Sequence, residues 1–330
     1  MVAVIKQAHR GWLIALLAVL LAMAAAACGK AEAEAEETPP AQGKQGAAQA
    51  KRTLTHALGT IEVDADIQRV VTLERSFSDH LVSLGIVPVG AVVRDGGDFE
   101  PYLAPQLKGT ASVGQSTAPN LEKILELKPQ LIIATDTDHS KSYETLKQIA
   151  PTLIVKSEEM ENDWRAVYLR IADAVNKQKK AEADLKAFDD RLASLKPKLD
   201  AAMKDKTVVF FKVTDKDTRV LGNLSPLGKI AYGQLGLTYP KSLKDEKNET
   251  KLAVEVLPEL NPSTIFLMDT NVPDYANKLN EVLATPLWKN LQAVKDGRVS
   301  MVPLRATKTG FGLVMHNQFV DALEKGLLGK

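Results

Sequence analysis

The chain has 330 residues, a formal net charge of +1 at pH 7 and a single cysteine. A near-neutral charge gives no indication of a nucleic-acid partner, and one cysteine cannot form an internal disulfide. The length is sufficient for two domains.

The first 27 residues have the pattern of a secretory signal peptide. Lys6 and Arg10 precede an apolar run over residues 12–27, which ends in small residues directly before Cys28. A basic start, a short apolar core and small residues at the cut are the parts of such a signal. The segment resembles a bacterial lipobox, although Ala25 stands where leucine is commoner. The resemblance implies that Cys28 is the lipid attachment site and carries a diacylglyceryl group. The alternative is an ordinary signal peptide with an incidental cysteine.

Residues 28–52 are predicted to be a disordered tether that begins at the lipid-modified cysteine. The segment is rich in Glu, Ala, Gln and Gly and holds almost no large apolar side chain. It therefore cannot bury enough surface to offset the entropy of ordering. No second long apolar run follows, so the mature chain is expected not to span a membrane.

Residues 53–160 are predicted to form an N-terminal α/β lobe. Short apolar runs alternate with helical patterns, which is typical of a mainly parallel sheet flanked by helices. The predicted strands are 70–73, 87–93, 130–135 and 152–156, and the predicted helices are 76–84, 120–127 and 140–149. Ser76 is a candidate cap for the first of these helices, and Gly85 is its candidate end.

Residues 161–197 are predicted to form one long helix that connects two lobes. Apolar side chains recur at steps of three and four from Trp164 to Leu199, with one wider gap at Gln178. That spacing is one face of an α-helix.

The ends of this predicted helix follow from capping and breaking residues. Asn162 or Asp163 is its candidate N-cap, and Pro197 is expected to limit its C-terminal end. The alternative is a helical hairpin that is broken near Asn176.

Residues 198–330 are predicted to form a C-terminal α/β lobe. The predicted strands are 207–213, 264–268 and 299–302, and the predicted helices are 226–235, 253–260 and 312–328. The expected fold class is therefore α/β. It consists of two Rossmann-like lobes with central parallel sheets, joined by one long interlobe α-helix.

An internal repeat indicates that the two lobes are related. Residues 122–133 and 255–266 share two glutamates, a leucine and a proline at the same relative positions, and both lead into an isoleucine-containing strand. Each copy places one glutamate, Glu122 or Glu255, in the first turn of a predicted helix. The repeat predicts two lobes of related fold with a cleft between them.

Segments 70–93, 119–133 and 296–299 resemble the periplasmic-binding-protein family for iron siderophores and vitamin B12. The similarity extends over nearly all of residues 53–330. In that family a single long helix joins the lobes, and the ligand lies between them. The resemblance also implies that one exposed glutamate on each lobe docks onto arginines of a permease dimer, and the matching positions are Glu122 and Glu255. The alternative is that both glutamates only favour the dipole at a helix N-terminus.

Ligands of α/β sheets bind beyond the carboxyl ends of the strands. The polar residues that follow the predicted strands are therefore the candidates, and many of them are cationic. Arginine offers forked donors that match carboxylate oxygens. The predicted ligand-binding residues are Arg75, Arg94, His139, Tyr143, Lys212, Arg219, Arg305 and Lys308.

A cleft lined by cations suits an anionic ligand, such as a ferric complex of the carboxylate or catecholate type. The chelate would be held by its own oxygens, so neither a cofactor nor a resident metal is expected. Many siderophore-binding relatives carry a tryptophan after the last strand. Residues 303–312 contain none, which weakens a hydroxamate assignment.

Other functions stay open. Haem or cobalamin could replace the siderophore, with His139, Tyr143 or His316 as a haem ligand. A bare metal is disfavoured, because only four histidines follow the signal and none are paired. No catalytic motif indicates an enzyme. A non-transport surface or sensory lipoprotein is the alternative of another class.

The resemblance and the anchor set the expected partners and location. The partners are an ABC permease dimer with its ATPase and a small iron chelate, and the membrane is contacted only through the lipid. The chain is expected to be a monomer on the extracellular face of the cell membrane, which fits a Gram-positive bacterium best.

Overall fold

The computed structural model describes residues 51–94, 96–214, 216–246, 248–268, 273–302 and 312–329, which belong to one compact unit. The side chains of residues 273–276 are not described. The predicted signal peptide and Cys28 lie outside the described residues, as do Arg305 and Lys308. The prediction that the tether extends to residue 52 is wrong at its end, because the first strand begins at Lys51.

The first half, residues 51–162, is built on a five-stranded parallel sheet. The strands are β1 (Lys51–His56), β2 (Gly59–Asp64), β3 (Val70–Thr72), β4 (Gly90–Ala91), β5 (Ala111–Ser112), β6 (Gly114–Gln115), β7 (Ala118–Pro119), β8 (Leu131–Thr135) and β9 (Thr152–Val155). The sheet has the order β5-β4-β3-β8-β9, and every neighbouring pair in it is parallel. β1 pairs with β2, and β6 with β7, as antiparallel hairpins.

The helices of this half follow the capping chemistry of their ends. They are α1 (Arg75–Ser83), α2 (Leu121–Glu126), α3 (Asp136–His139), α4 (Tyr143–Ile149) and α5 (Ser157–Asn162). The Asn120 side chain accepts a hydrogen bond from the Lys123 N–H and caps α2. The expected Ser76 cap is wrong, because Glu74 occupies the N-cap position of α1.

The predicted single connecting helix over 161–197 is wrong. Two helices occupy this stretch, α6 (Trp164–Ala174) and α7 (Gln178–Ala202). Asn176 between them has a φ of 57°, a left-handed conformation that ends a right-handed helix. The alternative of a break near Asn176 is the one observed.

The two helices pack as an antiparallel hairpin. The Tyr168 hydroxyl donates to Asp184 at 2.6 Å, and Arg165 pairs with Asp189 at 2.6 Å. The earlier residue of α6 therefore meets the later residue of α7. The predicted stop at Pro197 is also wrong, because this proline lies inside α7.

The second half, residues 207–329, contains a mixed five-stranded sheet. Its strands are β10 (Val208–Val213), β11 (Thr218–Leu221), β12 (Glu249–Lys251), β13 (Thr264–Met268) and β14 (Val299–Val302). The order is β12-β11-β10-β13-β14. β10, β13 and β14 are parallel, whereas β11 and β12 are antiparallel additions, so the expected central parallel sheet holds for three strands.

Short helices surround this sheet, and one long helix ends the chain. They are α8 (Pro226–Gly228), α9 (Leu257–Leu260), α10 (Pro273–Ala284), α11 (Pro286–Lys289), α12 (Gln292–Lys295) and α13 (Leu313–Leu328). A π-helical turn over Lys229–Gln234 follows α8 directly. None of the helices in the described ranges is long and apolar enough to cross a membrane.

The sequence repeat is also a repeat of backbone conformation. Lys128 and Asn261, which precede the repeated proline, have left-handed φ values of 44° and 36°. The number of residues between Lys128 and Asn261 equals the number between the first residues of β8 and β13. Gly85 and Gly236, at the weaker sequence echo, have φ values of 81° and 73°. The two halves therefore share one arrangement, in which a helix leads through a left-handed residue and a proline into a strand.

One apolar core runs through both halves. It includes Val70 and Ile133 of the first sheet and Phe210 and Phe266 of the second, all fully buried. The outer face of each sheet has a smaller core of its own. Because burial of apolar surface is the main favourable term in folding, this shared core joins the halves more firmly than a single helix would.

Candidate functional site

The order of the first sheet reverses between β3 and β8. From β3 the chain moves outward to β4 and β5 and then returns to the other side of β3. Open α/β sheets bind ligands in the crevice beyond the carboxyl ends of strands at such a point. Here the crevice is bordered by residues 73–75 after β3 and residues 136–139 after β8.

Ser116 ties the two sides of this crevice together. Its hydroxyl donates to the Leu73 carbonyl at 2.7 Å, and its Oγ lies 3.1 Å from Asp138 Oδ2 and 3.4 Å from Glu74 Oε2. Burial raises the pKa of Glu74, and the charge of Arg75 opposes this effect. Ser116 thus contacts the loop after β3 through its hydroxyl and the loop after β8 through its backbone carbonyl, which accepts from Nε2 of His139.

His139 does not offer a free nitrogen to a ligand. The Thr135 backbone N–H donates to its Nδ1 at 3.2 Å, so its Nε2 carries the proton and donates to the Ser116 carbonyl at 2.9 Å. Burial lowers the pKa of this histidine, which favours the neutral ring. Both ring nitrogens of His139 are thus used by the protein, which argues against its predicted ligand contact.

Tyr143 also points away from the crevice. Its hydroxyl lies 3.0 Å from Nε2 of His56 in the N-terminal hairpin, and its ring packs in the outer core of the first sheet. Only 7% of the residue is exposed. The contact with His56 therefore argues against the predicted ligand contact of Tyr143.

The two arginines of the first half differ in their pairing. Nη1 of Arg75 donates to the buried Glu100 at 3.1 Å. Arg94 follows β4, and its backbone N–H is fixed by the Asp98 carbonyl at 2.8 Å. Its Nε is buried and has no hydrogen-bond acceptor within the described part of the chain. A buried guanidinium donor without a partner is costly, so it is a position where an incoming acceptor is favoured.

Lys212 and Arg219 lie in one row at the carboxyl edge of the second sheet. Lys212 is paired in register with Arg219 on one side and with Met268 on the other, and Met268 pairs with Val302. Met268 and Val302 are the last residues of β13 and β14. The row continues to Lys251 on β12.

The cations of this row are partly neutralised by two carboxylates. Lys212 Nζ donates to Glu249 at 2.8 Å, and Arg219 donates to both carboxylate oxygens of Asp217 at 2.7 and 3.2 Å. Lys251 lies 3.0 Å from Asp217 as well. The hydrogen bonds from Arg219 hold the pKa of Asp217 well below its usual range. Among the described residues of this row, three cations therefore contact two carboxylates.

The carboxyl edges of the two sheets lie on the same side of the molecule. α13 runs back along the second sheet, since Gly326 near its end lies against Phe266 and Ser300. Its first turn is therefore near the carboxyl ends of β13 and β14. That turn contacts Asp79 on α1, the helix that starts at the carboxyl end of β3. Arg305 and Lys308 belong to the segment before α13, outside the described residues.

Glu122 and Glu255 are exposed, one in each half. Glu122 lies in the first turn of α2, and Glu255 lies in a 3₁₀ turn over Val254–Val256. Their positions at the exposed face of both repeat copies suit contact with another protein.

Four acidic or polar residues of the site were not predicted: Glu100, Ser116, Asp217 and Glu249. The two-residue spacing of Asp217 and Arg219 could have indicated that their side chains pair, because residues two apart in an extended segment share a face. Glu100 and Glu249 are distant in sequence from the cations they pair with, and no local pattern indicates them. In the described ranges, no group of three His, Cys, Asp or Glu side chains is placed to hold a metal ion.

Comparison with known proteins gives consistent matches. A family model described as periplasmic binding protein matches residues 70–305. The probable siderophore-binding lipoprotein YfiY of Bacillus subtilis is 33% identical over 285 residues, which cover 83% of this chain and 86% of the relative. The Fe(3+)-citrate-binding protein YfmC of the same organism is 32% identical over 73% of this chain and 75% of its own length.

A solved structure is also similar to this chain. Staphylococcus aureus SirA, complexed with staphyloferrin B, has 31% sequence identity and a TM-score of 0.67, covering 84% of this chain and 98% of its own. The family match spans well over half of the chain, including both sheets and the crevice residues. The chain therefore belongs to the periplasmic binding protein family.

Proposed function

We propose that this chain is the extracytoplasmic binding protein of an ABC importer and that it captures a ferric siderophore for delivery to the permease. The proposal rests on membership of a family of binding proteins and on relatives described as siderophore-binding or Fe(3+)-citrate-binding. The observation that carries the ligand site is Arg94, whose buried Nε lacks an acceptor in the described residues at the carboxyl edge of the first sheet.

The proposed ligand set is smaller than the sequence indicates. Arg75 and Arg94 border the first edge, and Lys212 and Arg219 border the second. The predicted Arg305 and Lys308 remain proposed members. These cations favour an oxygen-rich anionic chelate of the carboxylate or catecholate type, because guanidinium groups bind such oxygens through forked, charge-assisted hydrogen bonds.

Haem is less well supported as the ligand. His139 uses both ring nitrogens, Tyr143 is bonded to His56, and His316 is fully buried. His139 and Tyr143 therefore present no free atom to a porphyrin. Nε2 of His316 has no partner among the described residues, but this ring is enclosed in the core and stacked on Trp164, where a porphyrin has no access. Membership of a family of binding proteins also favours a binding role over an enzymatic one.

A fluorescence titration tests the proposed ligand. Trp164 and Trp288 are the tryptophans after the signal segment, and Trp164 stacks on His316 of the second half at 4.1 Å. The titration uses ferric citrate, a ferric catecholate, a ferric hydroxamate, haem and cobalamin. We expect saturable binding of a ferric carboxylate or catecholate at micromolar or lower concentration. Saturation by haem or cobalamin alone, or by none of the five, would reject the proposal.

Permease docking is proposed for Glu122 and Glu255. The double variant Glu122→Ala/Glu255→Ala is expected to bind the chelate normally and to reduce its uptake into cells. Glu126→Ala/Glu259→Ala is the matched control, because these exposed glutamates occupy the next shared positions of the repeat. Equal uptake by both double variants would contradict the docking role.

The proposed location is the outer face of the cell membrane, with Cys28 as the lipid attachment residue and the protein acting as a monomer. Relatives are described as lipoproteins, and a diacylated cysteine provides the two chains that stable anchoring requires. Replacing Cys28 by alanine is expected to release the protein from washed membranes. Retention of the Cys28→Ala protein on membranes would reject the lipid anchor.

A further inference from the structure

Asp79 is a fully buried carboxylate that connects the two halves. It lies on α1 of the first half, and its oxygens accept the backbone N–H groups of Val314 and Met315 at 2.9 and 3.1 Å. These N–H groups belong to the first turn of α13 in the second half. A helix leaves its first N–H groups without internal partners, and a carboxylate satisfies them well.

The start of α13 is shaped to receive this carboxylate. Its N-cap is Gly312, which has no side chain to cap the helix itself. A Cβ at this position would clash with the Asp79 carboxylate, whose nearest oxygen it would meet at 2.3 Å. Only glycine therefore allows the backbone to approach Asp79 so closely. We call Asp79, Tyr102 and residues 312–315 the interhalf junction.

The junction is linked to the proposed ligand site through one segment. Glu100 pairs with Arg75, which lies one helical turn before Asp79 on α1. Two residues after Glu100, the Tyr102 hydroxyl donates a hydrogen bond to Asp79. Gln318 of α13 donates to the Tyr102 carbonyl at 3.4 Å. Residues 100–102 thus contact the first residue of α1, Asp79 and α13 together.

Two buried histidines and a buried tyrosine near the junction keep a constant charge near neutral pH, whereas Asp79 changes its charge there. On α1 its neighbours are Arg75 and His80, and His316 lies on α13. Burial lowers the pKa of each of these histidines to about 3. From the other elements, Glu100 and Tyr102 face it from segment 100–102, and burial raises the pKa of Tyr102 further above its usual value. The charge of Asp79 also reaches Tyr168 on α6, which is bonded to Asp184 of α7.

We propose that Asp79 is a positioning residue for the ligand site, because it holds the first turn of α13 against α1 and so sets the two carboxyl edges relative to each other. The inference rests on the proposed function only for its effect on ligand binding. Burial raises the pKa of Asp79 to about 6, against the N–H bonds that lower it. If opening the junction hydrates this group, protons favour the closed junction, and closure is tighter below pH 6 than above it.

Hydrogen exchange in the mature chain tests the junction without a ligand. In Asp79→Ala, the amides of residues 313–316 are expected to exchange at least about tenfold faster at pH 7.5, because their acceptors are lost. Asp321→Ala is the control, since Asp321 is an exposed carboxylate on the same helix. An unchanged first turn in Asp79→Ala would overturn the proposal.

The pH dependence distinguishes this role from a simple cap. After correction for intrinsic exchange rates, protection of the first turn in the unaltered protein is expected to rise about tenfold between pH 7.5 and pH 5. Asp79→Asn should show no such rise. This comparison also decides the matter if Asp79→Ala does not fold. A flat profile in the unaltered protein would overturn the proton linkage.

Ligand affinity tests the positioning itself. With ferric citrate, or the tighter chelate that the titration identifies, Asp79→Ala is expected to bind about tenfold more weakly, while Asp321→Ala binds normally. Faster exchange with unchanged affinity would reduce Asp79 to a structural cap and overturn the positioning role. If the unaltered protein binds none of the chelates, the proposed function fails, whereas the exchange results still decide whether the junction exists.

Discussion

The carboxyl edges of the two sheets differ in how their polar side chains are paired. In the first half, polar groups are fixed by backbone and by single partners, and the Nε of Arg94 keeps no acceptor among the described residues. In the second half, Lys212 and Arg219 already share the carboxylates of Glu249 and Asp217. The first edge therefore offers a donor to a ligand, and the second offers a preassembled ionic framework.

The largest expected effect comes from breaking the ion pair between Lys212 and Glu249 in that framework. Lys212 and Glu249 are both nearly buried, at 10% and 13% side-chain exposure. Glu249→Leu removes the carboxylate that pairs with the nearly buried Lys212 ammonium and is expected to lower the free energy of unfolding by about 3 kcal/mol. Lys212→Met/Glu249→Leu removes both charges and should recover most of that loss. Urea unfolding measures both variants. A double variant as unstable as the single one would show that the loss of stability does not come from breaking the pair of Lys212 and Glu249.

The next-largest expected effect is the pH dependence of the free energy of unfolding, to which Asp79 and Asp217 contribute with opposite signs. The pKa of Asp79 is raised from 3.8 to about 6, so the folded state binds its proton more tightly than the unfolded state. Its stabilising contribution is complete below pH 4 and is lost as pH rises through 6, by about 3 kcal/mol in total. Asp217 has the opposite sign. Its pKa is lowered, and its contribution is present above pH 4 and declines as pH falls.

Unfolding measured from pH 4 to pH 8 separates the two carboxylates. Asp79→Asn should remove the loss of stability between pH 4 and pH 6, whereas Asp217→Asn should leave that loss in place. Identical pH profiles for the unaltered protein and Asp79→Asn would contradict the assignment to Asp79.

A smaller effect concerns ligand binding at the first edge. Arg94→Ala removes the buried donor and is expected to weaken chelate binding by about 1–3 kcal/mol. Arg94→Lys retains the charge but not the forked geometry, so it should recover only part of the affinity. Titration of both variants with the bound chelate makes the comparison. Arg94→Ala with unchanged affinity would remove this residue from the site.

Local chemistry explains which parts of the fold were predictable. The strands Thr264–Met268 and Val299–Val302 were predicted with the observed bounds, because each is a short apolar run between polar residues. Asp163 caps α6 as one of the two candidates, since its side chain accepts the Arg165 N–H at 3.0 Å. Such signals lie within a few residues of the element they define.

Interactions between distant segments explain what was missed. The apolar spacing resumes in α7 because both helices turn that face into the shared core, and only its one wider gap, at Gln178, indicates the break at Asn176. His139 and Tyr143 looked free because their partners, Ser116 and His56, are far away in sequence. A site residue can be located by its strand, but its availability depends on partners that only the fold brings near.

The smallest expected effect compares the two copies of the repeat. Lys128 and Asn261 both adopt the left-handed conformation, at φ values of 44° and 36°. That conformation is costly for lysine, whereas asparagine tolerates it and glycine adopts it freely. Lys128→Gly is therefore expected to raise the free energy of unfolding by about 0.5–1 kcal/mol, after the added flexibility of the unfolded chain is counted. Asn261→Gly should change it by less than about 0.5 kcal/mol. Thermal unfolding of the two variants measures the difference, and an equal gain at both positions would show that residue type does not set the cost of this turn.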